Sequence, residues 1–460
     1  MFVIPGIAAL LTYIYLRLHE VFEILRPMTI NNVLLVVALG YLLDLKTGAA
    51  RVRVSLLFVS GVSFFVWTLL TIALKAPTRF VDHLPAMTAS MATFIFISQG
   101  LQTFRGFRIA TTILLGLTLF MTVVGIHQGL MPRVCMPVST ELETAPVAAK
   151  PVDPADDRPC ETRADCREGD TTGKEFMCES RGILDTHSIG GRVRFRGVFQ
   201  DPNELAWAAS MGLPFIFTWF ERRRSLLRLL GAFAATAAAT ICTIKTQSRS
   251  GQIALASTLA TYFIRRLGWR GALLSAVVAL PVLLLGGRSG EEADSSSQER
   301  LECWSEALSM WRENPFLGVG AKQFTEHHYL TAHSSFLLVL AEMGPLGLFL
   351  WTLTLYLAFK IVIQVQRDFA NVPEAANARS DAFAVFAGLV SLTASTFFLS
   401  IAYHPAVWIE FGLVGVIQAA VWRHSPQWQL RWSWRDVGFV IGFDVVLVSG
   451  IAVYLKSLGI

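Results

Sequence analysis

The sequence predicts an all-α integral membrane protein with about 11–13 transmembrane helices and two large periplasmic segments, the second containing an amphipathic helix. Three observations carry this expectation. The 460-residue chain is 53% hydrophobic and only 16% charged, with a mean hydropathy of +0.51, whereas a soluble domain is usually about a quarter charged. Apolar runs of about 20 residues, enough to cross a bilayer, recur from one end of the chain to the other. Lysines and arginines collect in alternate loops between those runs. The net charge of +5 is therefore a topology signal rather than a nucleic-acid footprint. The expected surroundings are membrane lipids, with no nucleic acid.

The apolar runs lie near residues 2–18, 29–45, 54–74, 84–101, 108–130, 203–220, 226–246, 251–264, 271–287, 334–361, 381–403, 406–422 and 437–458. The run at 251–264 is short for a span. No basic stretch precedes the first run and no small-residue cleavage site follows it, so no cleavable signal peptide is expected.

Short loops rich in Lys and Arg resist translocation and stay cytoplasmic. Lys46, Arg51 and Arg53 follow the second run, Arg105 and Arg108 the fourth, and Arg222, Arg223 and Arg224 the sixth. Arg265, Arg266 and Arg270 follow the eighth, Lys360, Arg367 and Arg379 the tenth, and Arg423, Arg431 and Arg435 the twelfth. With every run counted as a span, these loops share one side, and the N-terminus starts there. Segments 131–202 and 288–333 are left on the periplasmic face of an inner membrane. The chain then divides into N-terminal scaffold helices (1–130), a cysteine-bearing periplasmic loop (131–202), membrane helices with an arginine hairpin (203–287), a periplasmic catalytic segment (288–333) and C-terminal membrane helices (334–460).

Four of the six cysteines, Cys135, Cys160, Cys166 and Cys178, fall in the first outside loop. An even set in a polar, loop-rich segment outside the cytoplasm reads as two disulfides. Four cysteines allow three connectivities, and the nested pairing Cys160–Cys166 with Cys135–Cys178 is the one expected here. A zinc site is the weaker reading, since no CxxC pair is present. Cys242 lies within a run and reads as core, and Cys303 as a free thiol.

The first five runs carry few polar groups. Loop 131–202 begins Pro-, Ala- and acid-rich and ends differently. Arg192, Arg194 and Arg196 alternate in its last stretch, so an extended chain places all three on one face. Asp201-Pro202 then gives a helix start, with Asp201 as N-cap, Pro202 as first helical residue and Glu204 three on from the cap. In the second outside segment Leu301, Trp304, Leu308 and Trp311 share one helical stripe, an amphipathic helix with tryptophans suited to the interface. Asn314-Pro315 ends it, and a Gly-rich turn leads to His327, His328 and His333.

No GxxxxGK[ST], post-strand GxGxxG, HExxH or outside DxD-type cluster occurs. Periplasmic chemistry lacks ATP, so a pre-activated donor is required. A sugar linked through diphosphate to a polyprenol is such a donor. Its diphosphate needs fixed positive charge, for which the planar arginine fork is suited. Arg196, Arg249, Arg288 and Arg300 are the outside candidates. Arg249 sits in a short hairpin between two runs, where an arginine at bilayer depth costs about 2.5–3.5 kcal/mol and tends to be functional. Snorkelling to headgroups competes with that role for Arg249 and more strongly for Arg288. Headgroup contacts or loop salt bridges compete for Arg192 and Arg194. A base is also needed to take the acceptor proton, and imidazole, with a pKa near 6.5, is suited to it. His333, at the mouth of a run, is the expected base, with His327, His328 and His404 competing. These histidines lack a matching carboxylate or cysteine spacing, so no metal and no cofactor is expected. Glu342 lies within a run, about half a turn of helix away from the His333 face, and reads as a packing or gating group.

Five pieces occur together in a fixed order: RGVFQDPNELA at 196–206, TQSRSG at 246–251, SxxRLxxW at 297–304, NPFLGVG at 314–320, and AHSS with LAEMGPLG within 332–347. In these the chain resembles the O-antigen ligase and O-antigen polymerase superfamily of bacterial membrane proteins. The resemblance implies a mainly helical fold with a periplasmic cavity. It implies metal-independent, inverting transfer of a glycan from undecaprenyl diphosphate to a hydroxyl of a glycan or lipid A core acceptor, in lipopolysaccharide or exopolysaccharide assembly. A glycan flippase and a chain-length regulator are the partners such a role implies. Arg196, Arg249 and Arg300 carry over as diphosphate-facing residues and His333 as the base-like residue. The family often has Asn after this histidine, where this chain has Ser334. The four-cysteine insert is a further departure. Ligase and polymerase differ only in acceptor, and the shared pieces do not separate them. A transporter or flippase of lipid-linked or soluble glycans is the alternative, and would place ionisable groups along the spans.

Overall fold

The computed structural model describes residues 1–137, 158–162, 164–166, 176–285 and 291–460. Its helices are α1 (Val3–Leu16), α2 (Leu18–Val21), α3 (Ile30–Lys46), α4 (Leu56–Lys75), α5 (Phe80–Gly100), α6 (Phe104–Gln128), α7 (Pro202–Met211), α8 (Leu213–Arg222), α9 (Leu226–Thr246), α10 (Arg249–Leu267), α11 (Trp269–Leu285), α12 (Glu291–Glu313), α13 (Phe324–His327), α14 (Ser335–Asp368), α15 (Ala376–Thr396), α16 (Pro405–His424) and α17 (Trp434–Ser457). One antiparallel pair, β1 (Arg133–Pro137) and β2 (Phe176–Ser180), lies between α6 and α7.

The expected all-α membrane fold stands. Among the described residues each expected apolar run coincides with a helix, the run at 203–220 being divided between α7 and α8 at Gly212 and the run at 381–403 being helical only to Thr396. Among the described residues 7 helices are long and apolar enough to cross a membrane by length and composition: α4, the segment Pro77–Gly100 that contains α5, α6, α9, α14, α16 and α17. The expected count of about 11–13 also includes shorter or more polar helices, such as the 14-residue α1 and the 19-residue α10, which opens and closes on arginines.

Successive long helices run antiparallel, so their loops sort to two ends. At one end Arg108 Nε lies 3.3 Å from Asp381, which Arg222 also contacts. There, too, Arg423 donates to Ala49 O (3.2 Å) and the Arg53 guanidinium stands 5.6 Å from the Trp422 ring centre. This is the basic end. At the other end Lys75 donates to Asn314 Oδ1 (2.9 Å) and Arg79 pairs with Glu326 (3.2 Å). The cysteine insert joins this second end, since it follows the C-terminus of α6 and precedes the N-terminus of α7.

Trp408 of α16 anchors the core. Its ring centre lies 4.3 Å from that of Phe65, 5.2 Å from Phe64, 5.5 Å from Phe94 and 5.3 Å from Phe411, spacings at which aromatic pairs attract beyond area burial. The Trp408 indole N–H donates to Ala402 O (2.9 Å), and Ser90 Oγ donates to Tyr403 O (3.1 Å). The core therefore fixes the 397–404 segment that leads into α16.

α14 is broken near its start. Pro345 has no N–H for Ala341 O and disfavours helical geometry in the residue before it. Gly344 takes φ +69°. Neighbouring groups satisfy the freed carbonyls, as a bilayer demands. Val319 N–H donates to Ala341 O (2.9 Å), Gly320 N–H to Glu342 O (2.9 Å) and the Trp67 indole N–H to Met343 O (2.9 Å). The NPFLGVG turn thus docks onto the break in LAEMGPLG. Two glycines permit the approach: a Cβ on Gly318 (φ +65°) would meet Ala341 O at 2.4 Å, and one on Gly344 would meet Phe316 O at 2.2 Å.

The insert corrects one expectation. Two disulfides form, but they interlace: Cys135 bonds Cys166 and Cys160 bonds Cys178. Cys135 and Cys178 do face each other across the β1–β2 ladder. However, the chain around Pro159 pairs along the other side of β1, with Cys135 N–H donating to Arg158 O (2.9 Å) and Cys160 N–H to Arg133 O (3.2 Å). That third strand-like segment brings Cys160 to Cys178, while the turn held by Asp165, which accepts from Glu161 and Thr162 N–H (2.8 Å each), returns Cys166 to Cys135. Long-range pairing of this kind has no local sequence signal.

Candidate active site

The arginine stretch is extended, and alternation does place its residues as period two requires. Val193 and Phe195 are buried, and the three arginines face away from them. Their partners differ. Arg192 Nε donates to Thr246 O (2.9 Å) and its terminal nitrogen to Asn203 Oδ1 (3.2 Å). Arg194 Nε donates to His187 O (3.1 Å), and its terminal nitrogen lies 2.5 Å from His187 Nε2. Both are tied into the protein. Arg196 opens the 3-10 turn Gly197–Phe199, and its Nε is buried with no hydrogen-bond partner. Burial lowers its pKa below the ordinary arginine value, while Glu20 and then Asp185 act in the opposite sense. A buried guanidinium N–H without an acceptor costs free energy until something anionic arrives.

Val193 N–H donates to Lys245 O (3.3 Å), so the same stretch adjoins the hairpin between α9 and α10. Gln247 makes that turn at φ +51°, and Ser248 caps α10 by accepting from Gly251 N–H (3.0 Å). Arg249, the first residue of α10, is exposed. A helix start with its free N–H groups and an arginine beside it suits an anion. Arg300, on α12, stands 6.0 Å from the Phe398 ring centre. Of the expected amphipathic stripe of α12, Leu308 is buried and Leu301, Trp304 and Trp311 are partly buried against the core, with Cys303, Ala307 and Met310 buried beside them. Arg288 lies outside the described residues.

The histidines separate by their contacts. His404 Nε2 lies 2.6 Å from Val198 O, and its Nδ1 accepts Ala406 N–H (3.1 Å) as the cap of α16. Burial pushes its imidazole down to about 4. With both nitrogens engaged, His404 is a structural pin between the Arg196 turn and α16. His328 Nδ1 accepts Leu330 N–H (3.1 Å), and its ring lies tilted against Tyr329 with centres 4.5 Å apart. His327 closes the short α13. His333 takes the left-handed region at φ +49°, which a non-glycine residue rarely does outside turns and functional sites. Beside it Ser334 makes no side-chain cap, while Ser335 Oγ donates to Leu399 O (2.6 Å) and accepts Ile401 N–H (3.0 Å).

Hydrogen bonds and ring contacts thus link the pieces in sequence: the Arg249 hairpin to Arg192–Val193, the Arg196 turn to His404, the 397–401 segment to Ser335, and Arg300 to Phe398. Glu342 joins the same end. It is buried, accepting Phe324 N–H (3.0 Å) and the Tyr403 hydroxyl (2.7 Å). Sequence reasoning passed over Lys322, Tyr403 and the Arg17–Glu20 pair (2.5 Å) at the end of α1. Arg17 and Glu20 were legible only as a charged pair after an apolar run. Chemically, the cluster offers cations for an anionic leaving group and an imidazole for a proton. A separate, mainly apolar cleft of ≈ 470 Å³ opens beside the α14 break, lined by residues including Trp311, Pro345, Phe349 and Ile441, with the Asp444 carboxyl in its wall.

Residues 234–352, from α9 into α14, match the family model described as O-Antigen ligase. No curated protein matches the chain. The matched stretch contains Arg249, Arg300, His333, Glu342 and the docked break of α14, and supports an O-antigen ligase-like function in general. Over residues 234–352 the chain is therefore similar to the O-antigen ligase family, which supports the superfamily of O-antigen ligases and polymerases.

Proposed function

We propose that the protein transfers a glycan from undecaprenyl diphosphate to a sugar hydroxyl at the periplasmic face of the inner membrane. The observation that supports this most is that the segments carrying Arg196, Arg249, Arg300 and His333 all lie at the end of the bundle away from the basic loops. In this reading His333 takes the proton of the acceptor hydroxyl as its oxygen bonds to the anomeric carbon. The bond from that carbon to the diphosphate oxygen breaks on the opposite face, which inverts the centre. The arginines hold the diphosphate as it leaves with the isoprenoid chain, where fixed charge lowers the barrier most. No metal takes part. Glycan or lipid A core is the acceptor, and a flippase and a chain-length regulator are the natural partners.

A second reading has one observation in its favour. Glu410 and Asp444 are buried inside α16 and α17 with carboxylate oxygens that lack hydrogen-bond partners, as ionisable groups on a transport path would be. One experiment separates the readings: a gel of surface glycans from a deletion strain, with the wild-type or Arg249→Ala gene returned. Loss of long chains with single repeats still on the core identifies a polymerase. Long chains retained on the carrier with bare core identify a ligase. Arg249→Ala is expected to match the deletion. An unchanged profile overturns the transferase reading in favour of transport.

A further inference from the structure

Lys322 belongs to none of the pieces that carry the family resemblance, yet the fold goes to some length to place it. Its backbone sits at φ +64°, a conformation that a side-chain-bearing residue keeps only when its surroundings over-determine it. Those surroundings are on both sides. Before it, Gly320 N–H is bound to Glu342 O (2.9 Å), and Gln323 N–H closes a turn on Gly320 O (3.1 Å). After it, Phe324 N–H is bound to the Glu342 carboxylate (3.0 Å), whose other oxygen accepts the Tyr403 hydroxyl (2.7 Å). One glutamate, through its backbone and its side chain, fixes the turn that carries Lys322.

The result is an exposed ammonium 5.1 Å from the centre of the Tyr403 ring. Its charge bears on His83, Glu204, Glu342 and His404, groups drawn from four segments that meet at this end. Among the described residues it forms no ion pair. A lysine held over an aromatic face is a compact point charge with three rotatable donors, suited to one phosphoryl oxygen where arginine forks take the rest.

We propose that Lys322 is a further anion-binding residue of this site, held over Tyr403 by Glu342, and that it takes a phosphoryl oxygen of an isoprenoid diphosphate. This rests on the functional reading given above. The test uses the full chain in detergent, with farnesyl diphosphate and farnesol as probes and calorimetry as readout. The wild type is expected to prefer the diphosphate. Lys322→Ala should weaken farnesyl diphosphate about tenfold, the loss of one charge-assisted contact, and leave farnesol unaffected. Lys322→Arg should keep most of the affinity. A wild-type preference preserved intact in Lys322→Ala would overturn this inference alone. Equal loss in Lys322→Ala and Lys322→Arg would overturn it too, since charge would then not be what matters. Equal binding of the two probes by the wild type would remove the functional reading, and this inference with it.

Discussion

His333 and His404 are the same residue type at the same end of the bundle, and their contacts give them different work. His404 has both ring nitrogens engaged, so His404→Ala removes a helix cap and the link to Val198 O. The expected cost is about 1–2 kcal/mol, seen as a lower melting temperature. His333→Ala should instead lower transfer by roughly 10²–10⁴-fold, the usual worth of a general base, a loss out of proportion to any change in melting temperature. A melting loss confined to the His333 variant would reverse the two roles. His187 makes a prediction about pH. Burial, then Arg194, Arg196 and Arg181, pushes its imidazole from 6.5 down to about 4. Folding holds it neutral, so its contribution is fully present above pH 6.5 and is lost as the pH falls toward 4. The loss is ~3 kcal/mol. Limited proteolysis of the insert should therefore quicken between pH 6.5 and 4, and His187→Gln should flatten that dependence. At this scale the sequence nominates residues whose type alone suggests chemistry, such as Arg249 or His333. It was silent where meaning lies in a backbone angle or a distant partner. Lys322 stands out through its φ and its place over Tyr403, and His404 through the contacts it makes to Ala406 and to Val198, 206 positions away.

The broken start of α14 shows how an element can be legible in parts and opaque as a whole. Pro345 announces a break, and NPFLGVG announces a turn, from sequence alone. That the turn donates its N–H groups to the very carbonyls the break exposes requires the tertiary pairing. Gly318→Ala should be strongly destabilising, since φ +65° and a 2.4 Å approach to Ala341 O both oppose a Cβ. At least about 1–2 kcal/mol is expected from the backbone alone. Gly450→Ala, a helical glycine with open space around it, is the control and should gain up to ~1 kcal/mol. Equal melting temperatures for the two variants would mean that the docked turn contributes nothing. The insert makes the same point more sharply. Cysteine count and compartment were sufficient to expect two disulfides, but the pairing depended on a strand-like segment around Pro159 that no local pattern marks. Non-reducing peptide mapping should recover Cys135 linked to Cys166 and Cys160 linked to Cys178. Peptides joining Cys160 to Cys166 would restore the nested order.

For the whole molecule, the apolar runs and their basic loops described the bundle well because both signals are local: a run either reaches bilayer length or does not. What they left out is how the charges at each end are partnered. At the basic end Arg108 and Arg222 meet Asp381, Arg431 meets Asp368 and Lys360 meets Asp436. Buried arginine Nε groups without an acceptor occur at both ends, Arg53, Arg222 and Arg379 at the basic end and Arg196 at the insert end. The proposed orientation, basic end cytoplasmic and insert end periplasmic, follows from the positive-inside rule and is directly measurable. Glu374, exposed in the turn between α14 and α15, lies at the basic end, and Glu326, exposed beside Arg79, lies at the insert end. The native background is low, because Cys242 and Cys303 are buried and the other four cysteines are in disulfides. Glu326→Cys should therefore react with a membrane-impermeant maleimide in cells whose outer membrane alone is opened. Glu374→Cys should react only after the inner membrane is breached. The reverse pattern would put the cations and His333 in the cytoplasm, where nucleotide-activated donors are available, and the case for a lipid-diphosphate donor would lose its main chemical reason.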